Sequence, residues 1–348
     1  MQRLAAIWLE RGPLARALWP LSLLYGLLWH GRLALYRARV LRTTRLQVPV
    51  LVVGNLIAGG AGKTPTVIAT VALLRRAGWT PGVVSRGYGR RDNGLRHVAA
   101  TSDAPEVGDE PLLIHLRTGA PVAVGRDRGA AGQALLRRHP EVDVVVSDDG
   151  LQHLALERDA SVLVFDERGA GNGWLLPAGP LREPLPALAP PTSVVLYNAR
   201  RATTALAGHL ASRRLAGAVA LDDWWRGATA SPALLQGLAG RPVVAVAGLA
   251  RPERFFAMLR EARLLVTPLP LPDHHDFASL PWPAATADVL LTEKDAVKLR
   301  PQRLRAMAGG AATRVWVVAL DFEPDAGYAA AVLQLLDGQR RARRSASA

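Results

Sequence analysis

The chain has 348 residues, 49% of them hydrophobic, which is enough apolar material for two α/β domains with ordinary cores. It contains no cysteine, so disulfides, thiolate metal sites and cysteine nucleophiles are excluded, and a reducing compartment fits. The formal charge of +14 is localised: from Arg11 to Arg91 there are thirteen Arg and Lys and no Asp or Glu, whereas the rest of the chain is close to balanced. One basic end facing something anionic is expected, rather than a chain that coats nucleic acid along its whole surface. Only three of the 43 basic residues are lysines, Lys63, Lys294 and Lys298. In so arginine-rich a chain a lysine marks a place that wants a compact ammonium.

The first apolar stretch, "ALWPLSLLYGLLW" (17–29), is uncharged and rich in Leu and Trp. It falls short of the roughly 20 apolar residues that a spanning helix needs. Arg16 and Arg32 bracket it, six further arginines lie within residues 1–46, and no small-residue cleavage site follows. A core helix is the plain alternative, but these features favour an interfacial helix, with Leu and Trp in the acyl boundary and Arg on anionic head groups. Pro20 is expected to start or kink that helix.

Beyond it, apolar runs alternate with helical stretches. "VPVLVVG" (48–54) reads as a strand and "TPTVIATVALLRRAG" (64–78) as a helix closed by Gly78. Further strands are expected at 81–85, 121–124, 142–149, 161–166 and 193–197. Fully apolar strands separated by helices predict a parallel sheet covered on both faces. Residues 200–240 are Ala-rich and weakly periodic, and then the pattern restarts with strands at 241–248, 264–269, 287–292 and 314–320 and a helix at 251–262. The organisation read from this is an N-terminal membrane-associated segment (1–46), a phosphate-loop domain (47–210), a smaller α/β domain (211–338) and a disordered basic tail (339–348). The expected fold class is α/β, with two Rossmann-like α/β/α domains, the first carrying the phosphate loop.

Between the first strand and its helix lies "NLIAGGAGKTPTV" (55–67). The usual phosphate-loop spacing, G-x-x-x-x-G-K-[ST], would place the first glycine at Ile57. Here the paired Gly59 and Gly60 replace it, a deviant form of the same loop. The physics is unchanged. Gly59, Gly60, Ala61 and Gly62 present backbone N–H groups to phosphate oxygens, Lys63 reaches the β- and γ-phosphates, Thr64 offers a hydroxyl to Mg²⁺, and Pro65 continues into a helix whose positive end faces the ligand. Asp148 and Asp149, in "VVVSDDG", stand where a neighbouring strand would supply metal carboxylates. A nucleotide and Mg²⁺ are the expected ligands.

"VGNLIAGGAGKTP", "SRGYGR", "VGDEP", "SDDGLQH", "GNGWLLPAGPLREP", "PDHHDF" and "TEKDAVKL" together resemble, in order, the motifs of the tetraacyldisaccharide 4'-kinases, the lipid A kinases of Gram-negative bacteria. The resemblance runs from the N-terminal segment to about residue 300. It implies transfer of the γ-phosphate of ATP to the 4'-hydroxyl of a tetraacylated disaccharide 1-phosphate. It also implies a peripheral protein on the cytoplasmic face of the inner membrane, and two α/β/α domains joined by a short two-stranded link with the active site between them.

Phosphoryl transfer needs charge neutralisation, an aligned hydroxyl and a proton acceptor. On the residues alone, "VGDEP" (107–111) suits a helix start, where acidic side chains are favoured. The resemblance instead makes Asp109 the base and Glu110 a further metal-site carboxylate. It also pairs one histidine of "PDHHDF" with Asp109. His274 is preferred to His275 because it directly follows Asp273. Arg86, Tyr88, Gln152, His153, Arg182 and Glu183 are expected to bind the sugar and its 1-phosphate, arginine being suited to bidentate contact, with service to the fold as the less favoured alternative for each. Asn172 and Gly173 suit a turn. In "TEKDAVKL", nucleotide contact and ion pairing at a helix start stand as equal readings.

Two rival functions fit less well. A partner-regulated P-loop ATPase with this loop form usually carries a further lysine before the glycine pair, where this chain has Ala58. A nucleic-acid binder would interleave aromatics through the basic run after residue 30 and carry a recognisable motif, and neither is present. No obligate protein partner is inferred.

Overall fold

The computed structural model describes residues 7–308 and 313–347. Its strands are β1 (Val50–Gly54), β2 (Pro81–Ser85), β3 (Arg96–Val98), β4 (Val122–Val124), β5 (Val144–Asp148), β6 (Ala160–Phe165), β7 (Ser193–Tyr197), β8 (His209–Ala220), β9 (Pro242–Ala247), β10 (Leu265–Pro270), β11 (Asp288–Thr292) and β12 (Arg314–Pro324). They form one sheet in the order β10-β9-β11-β12-β8-β7-β6-β1-β5-β2-β4-β3. All pairings are parallel except two, β3 with β4 and β8 with β12. This is a mixed α/β fold built on a large, mostly parallel sheet.

Parallel strands are buried on both faces, and β1 illustrates why its sequence is continuously apolar. Leu51 and Val53 join one hydrophobic cluster, with Val67 and Val71 of the helix Lys63–Arg76. Val50 and Val52 join another, with Ala131 and Leu135 of the helix Arg128–Arg138. Successive side chains thus serve opposite faces. The first cluster continues into Val315 and Val317 of β12 and into Tyr328, Val332 and Leu336 of the helix Ala326–Ser347.

Strand β8 is absent from the sequence reading. Its first two residues pair with β7, and the remainder runs antiparallel to β12. The expected domain boundary at 210/211 therefore falls inside a continuous strand. Its exposed positions alternate, Leu210, Ser212 and Arg214, but the residue types do not follow, since Leu210 faces out while Arg213 is half-buried, so no period shows in the sequence. The short β3 also escaped the reading.

The basic tail corrects a second expectation. Residues 339–347 are not disordered but extend the helix Ala326–Ser347, and only residue 348 of that segment lies outside the described residues. The physical reason is an anchor. Arg343 Nη2 lies 2.7 Å from Asp159 Oδ2, and Nη1 donates to the Leu46 carbonyl at 2.8 Å.

The N-terminal helix runs from Pro13 to Arg37. Pro13 occupies its first turn, where a missing N–H costs nothing, so the helix starts there and not at Pro20. Pro20 sits within the helix at an exposed position. The buried side is made of small residues, Ala15, Ser22 and Gly26. Ser22 Oγ donates to the Leu175 carbonyl at 2.8 Å and accepts from Ala178 N at 2.9 Å, and Tyr25 donates to the Arg182 carbonyl at 2.7 Å. Leu14, Trp19, Leu21, Leu23, Leu24, Leu27, Leu28 and Leu35 are all exposed, Leu27 by 70%. This inverts the ordinary pattern, in which a helix buries its leucines. Among the described residues, no helix is long and apolar enough to cross a membrane.

Candidate active site

The C-terminal ends of β1, β2, β5, β9 and β11 open on a cleft of about 1700 Å³. It is lined by Gly59 to Pro65, Arg86, Tyr88, Glu110, Asp148, Asp149, Gln152, His153, Arg182, His274 and Lys294. Asp109 and Glu183 are outside this lining, but each is hydrogen-bonded to a residue in it, Asp109 to His274 and Glu183 to Gln152. Tyr25 and Arg32 of the N-terminal helix reach the same cleft.

The loop itself follows from its glycines. Gly59 and Gly62 both adopt φ of +90°, open to glycine and strained for other residues. A side chain at 62 would also strike the Asn198 amide, 2.1 Å from where its Cβ would lie. Ile57, standing where the usual first glycine would be, is fully buried and bridges to Leu181. The deviant spacing thus fixes the loop's entry by packing rather than by a turn. Asn55 Nδ2 donates to the Ile57 and Gly59 carbonyls at 2.7 and 3.0 Å, and Lys63 Nζ donates to Asn55 Oδ1 at 3.2 Å. Arg168 braces the outer turn, donating to the Ala58 and Gly60 carbonyls at 3.1 and 2.9 Å. Asn198 Nδ2 holds the Ala61 carbonyl at 2.9 Å.

At the end of β5, Asp148 is fully enclosed. Ser85 Oγ donates to its Oδ2 at 3.1 Å, while its Oδ1 is buried with no hydrogen-bond partner. Burial, reinforced by the neighbouring Glu110 and Asp149 charges, pushes its carboxyl up to about 7. Asp149 takes a left-handed backbone, φ +48°, which Asp tolerates better than most residues. Its side chain lies 3.8 Å from Lys63 Nζ and 3.2 Å from Arg182 Nη1. Arg128 Nη2 donates to the Asp149 carbonyl at 2.8 Å from below.

On the opposite wall, His274 Nδ1 approaches Asp109 Oδ2 to 2.8 Å. Burial alone would raise the Asp109 carboxyl. The His274 hydrogen bond and the charge of Lys294 outweigh it, so the carboxyl lies below its ordinary range. The same hydrogen bond raises His274 above the ordinary imidazole value against the opposing effect of burial. His275 turns elsewhere: its ring packs on Phe277 at 5.0 Å. His274 and Phe277 both hold positive φ, 61° and 50°, strain of the kind that surrounding structure must impose. Arg303 supplies part of it, donating to the Phe277 carbonyl at 2.8 Å. Lys294 Nζ sits 2.9 Å from Glu110 and 3.1 Å from Asp273, so in "TEKDAVKL" this lysine ties the two acidic segments together.

The expected sugar-binding residues form a second group. Arg182 Nη1 donates to Gln152 Oε1 at 3.1 Å, and Gln152 Nε2 donates to Glu183 Oε1 at 3.1 Å. Burial raises the Glu183 carboxyl and lowers His153 to about 4. Tyr88 is exposed, its ring centroid 5.0 Å from that of His274, and Arg86 lines the cleft. Asn172 serves the fold, its amide donating to the Ala178 carbonyl at 2.9 Å. Sequence reasoning missed Asn55, Arg128, Arg168, Asn198 and Arg213. Asn55 alone had a local signal, standing within the loop motif.

The sequence profile of the Tetraacyldisaccharide-1-P 4'-kinase family matches residues 14–337. The chain belongs to this family. It is 60% identical over 326 residues to the tetraacyldisaccharide 4'-kinase of Methylibium petroleiphilum, covering 93% of this chain and 90% of that one. It is 56% identical over 338 residues to the enzyme of the same name from Leptothrix cholodnii, covering 97% of each. The crystal structure of the "apo" form of LpxK from Aquifex aeolicus in complex with ATP superposes with a TM-score of 0.74 at 26% identity, covering 93% of this chain and 99% of that one.

Proposed function

We propose that this chain is a tetraacyldisaccharide 4'-kinase, transferring the γ-phosphate of ATP to the 4'-hydroxyl of tetraacyldisaccharide 1-phosphate. The observation that carries the mechanism is the meeting, in one cleft, of the loop Gly59–Thr64 with the Asp109–His274 pair. The loop offers backbone N–H groups and the Lys63 ammonium to the phosphates, where charge builds as the phosphoryl group leaves ADP. Asp109 takes the proton of the 4'-hydroxyl as the new O–P bond forms. His274 holds Asp109 ionised and oriented, and the proton can be shared across their hydrogen bond. Arg86, Tyr88, Gln152, His153, Arg182 and Glu183 hold the sugar and its 1-phosphate.

The oxygen donors proposed for a divalent cation are Thr64, Asp148, Asp149 and Glu110, all lining the cleft. The unpartnered, buried Oδ1 of Asp148 fits a hard cation, as does a carboxyl whose ionisation its surroundings oppose. Among the described residues, no group of three or more His, Asp or Glu could hold a metal ion, so the proposed ion would need phosphate oxygens as well. Bound there, Mg²⁺ would neutralise the phosphate charge.

The exposed leucine face of the helix Pro13–Arg37 supports a peripheral position on the cytoplasmic face of the inner membrane. Its leucines would enter the acyl boundary, while Arg32 and Arg37 meet anionic head groups. Tyr25 and Arg32 would then bring the cleft to the lipid. We also read the sheet as two α/β domains, with the β8–β12 antiparallel pair as their link. The reading includes no nucleic acid and no obligate protein partner. Incubation with labelled ATP, Mg²⁺ and the disaccharide 1-phosphate tests it through the appearance of a bisphosphorylated lipid.

A further inference from the structure

Arg213 lies on β8, where the register pairs it with Phe322 of β12, and its guanidinium carbon is 5.7 Å from that ring. From there it presses on the phosphate loop. A Cβ placed on Gly62 would come within 2.4 Å of Arg213 Nη2, so the glycine leaves room for the guanidinium as well as for the loop's own turn. Arg168, Arg251 and Arg254, also near this loop, are ion-paired: Arg168 with Asp166 at 3.0 Å while it caps two loop carbonyls, and Arg251 and Arg254 both with Glu167. Arg213 Nε, like Arg254 Nη2, is buried with no hydrogen-bond partner among the described residues, but Arg213 has no carboxylate within ion-pair distance there. The one acid acting on it is Asp166, already engaged by Arg168. Burial lowers its guanidinium to about 10, which records how poorly the charge is compensated.

Arg213 is half-buried and lines the cleft, so its unpaired charge is partly desolvated and open to a bound anion. The missing partner must be anionic and must reach the space between Gly62 and Phe322, which opens on the same cleft as Lys63. We propose that Arg213 is a nucleotide-binding residue, donating from β8 to phosphate oxygens of the ATP held by the loop Gly59–Thr64. The proposal rests on the nucleotide-site reading above. A planar fork suits two oxygens of one phosphate group, a contact that a lysine could not reproduce.

The test measures ATP affinity and melting temperature in the full-length protein carrying Arg213→Met, Arg213→Gln or Arg213→Lys. Each is compared with wild type, with and without ATP. Losing a charge-assisted contact should weaken ATP binding about 10–100-fold in the Met and Gln variants, with Lys recovering only part. In the absence of ATP the Met variant should melt at or above the wild-type temperature, because a half-buried, unpaired charge has gone. The upward shift in melting temperature that ATP gives wild type should shrink. ATP affinity unchanged within about two-fold in a folded variant would overturn the assignment, since even one lost contact exceeds that. A melting temperature lowered in all three variants with normal ATP affinity would also overturn it, by making Arg213 a packing residue. If wild type itself bound no ATP, the nucleotide-site reading would fail instead.

Discussion

His274 Nδ1 lies 2.8 Å from Asp109 Oδ2, although 165 residues separate them in the chain. The contact joins the start of the helix Asp109–Thr118 to a loop whose backbone is strained at His274, and it ties the proposed base to the second half of the chain. Asp109→Asn, which keeps the size and removes the acceptor charge, should lower kcat about 10²–10⁴-fold with ATP affinity little changed. His274→Ala should cost less, and the double variant should be little worse than Asp109→Asn alone, because the two residues act as one unit. Steady-state kinetics on the four proteins check this. Multiplying losses would place His274 in another role. A fall in Mg²⁺ affinity with the rate preserved at saturating metal would make Asp109 a ligand and turn attention to Asp149.

The same pair sets a pH dependence. The hydrogen bond from His274 lowers the Asp109 carboxyl, and the base works ionised. Wild type should therefore stay active into acid below the ordinary carboxylate range. In His274→Ala that contribution is gone, so the acid limb of kcat should move to higher pH. An acid limb that does not move would separate the histidine from the ionisation of Asp109.

Lys63→Ala should abolish transfer while the protein remains folded, since the loop's shape is held by Asn55, Arg168 and Asn198 and not by the ammonium. Lys63→Arg should also fail, because a planar fork does not replace a point charge there. Turnover by either variant at the wild-type rate would refute the phosphate site.

The helix Pro13–Arg37 should hold the protein on anionic vesicles. Replacing Leu23, Leu24, Leu27 and Leu28 together by serine leaves the Ser22 and Tyr25 contacts in place and should release the protein into solution. Vesicle sedimentation reads the outcome. High salt should release intact protein only in part, because leucines inserted into the bilayer supply a contribution that salt does not screen. Complete release of wild type by salt would show that the helix is not embedded.

His153 makes a stability prediction. Burial lowers its imidazole to about 4, from an ordinary value of 6.5. Between these values the unfolded chain binds a proton that the folded one refuses, so stability should fall as pH drops from 6.5 towards 4. His153→Gln should flatten this part of a melting-temperature profile. An unchanged slope would assign the loss to other groups.

The loop Gly59–Thr64 was legible because strand, glycines and helix follow one another within a short span, and each residue type has a local reason to be there. The parallel sheet was legible through its continuously apolar strands. The Asp109–His274 contact was not, since nothing within "VGDEP" or "PDHHDF" points across 165 residues, and it entered only through resemblance. Asn198 and Arg213 carried no signal at all, because their roles arise from where β7 and β8 deliver them. β8 escaped because its residue types do not follow its burial, with Leu210 exposed and Arg213 half-buried. The tail was misread because composition cannot reveal that Arg343 meets Asp159.

The central claim is transfer to one particular hydroxyl. Purified protein incubated with ATP, Mg²⁺ and tetraacyldisaccharide 1-phosphate should yield a lipid with a second phosphate. Two-dimensional phosphorus–proton correlation should couple that phosphorus to the proton at the 4' carbon. Wild type should give this product and Asp109→Asn almost none. Phosphate released to water at a rate indifferent to the lipid, or phosphorus coupled to any other sugar proton, would contradict the account.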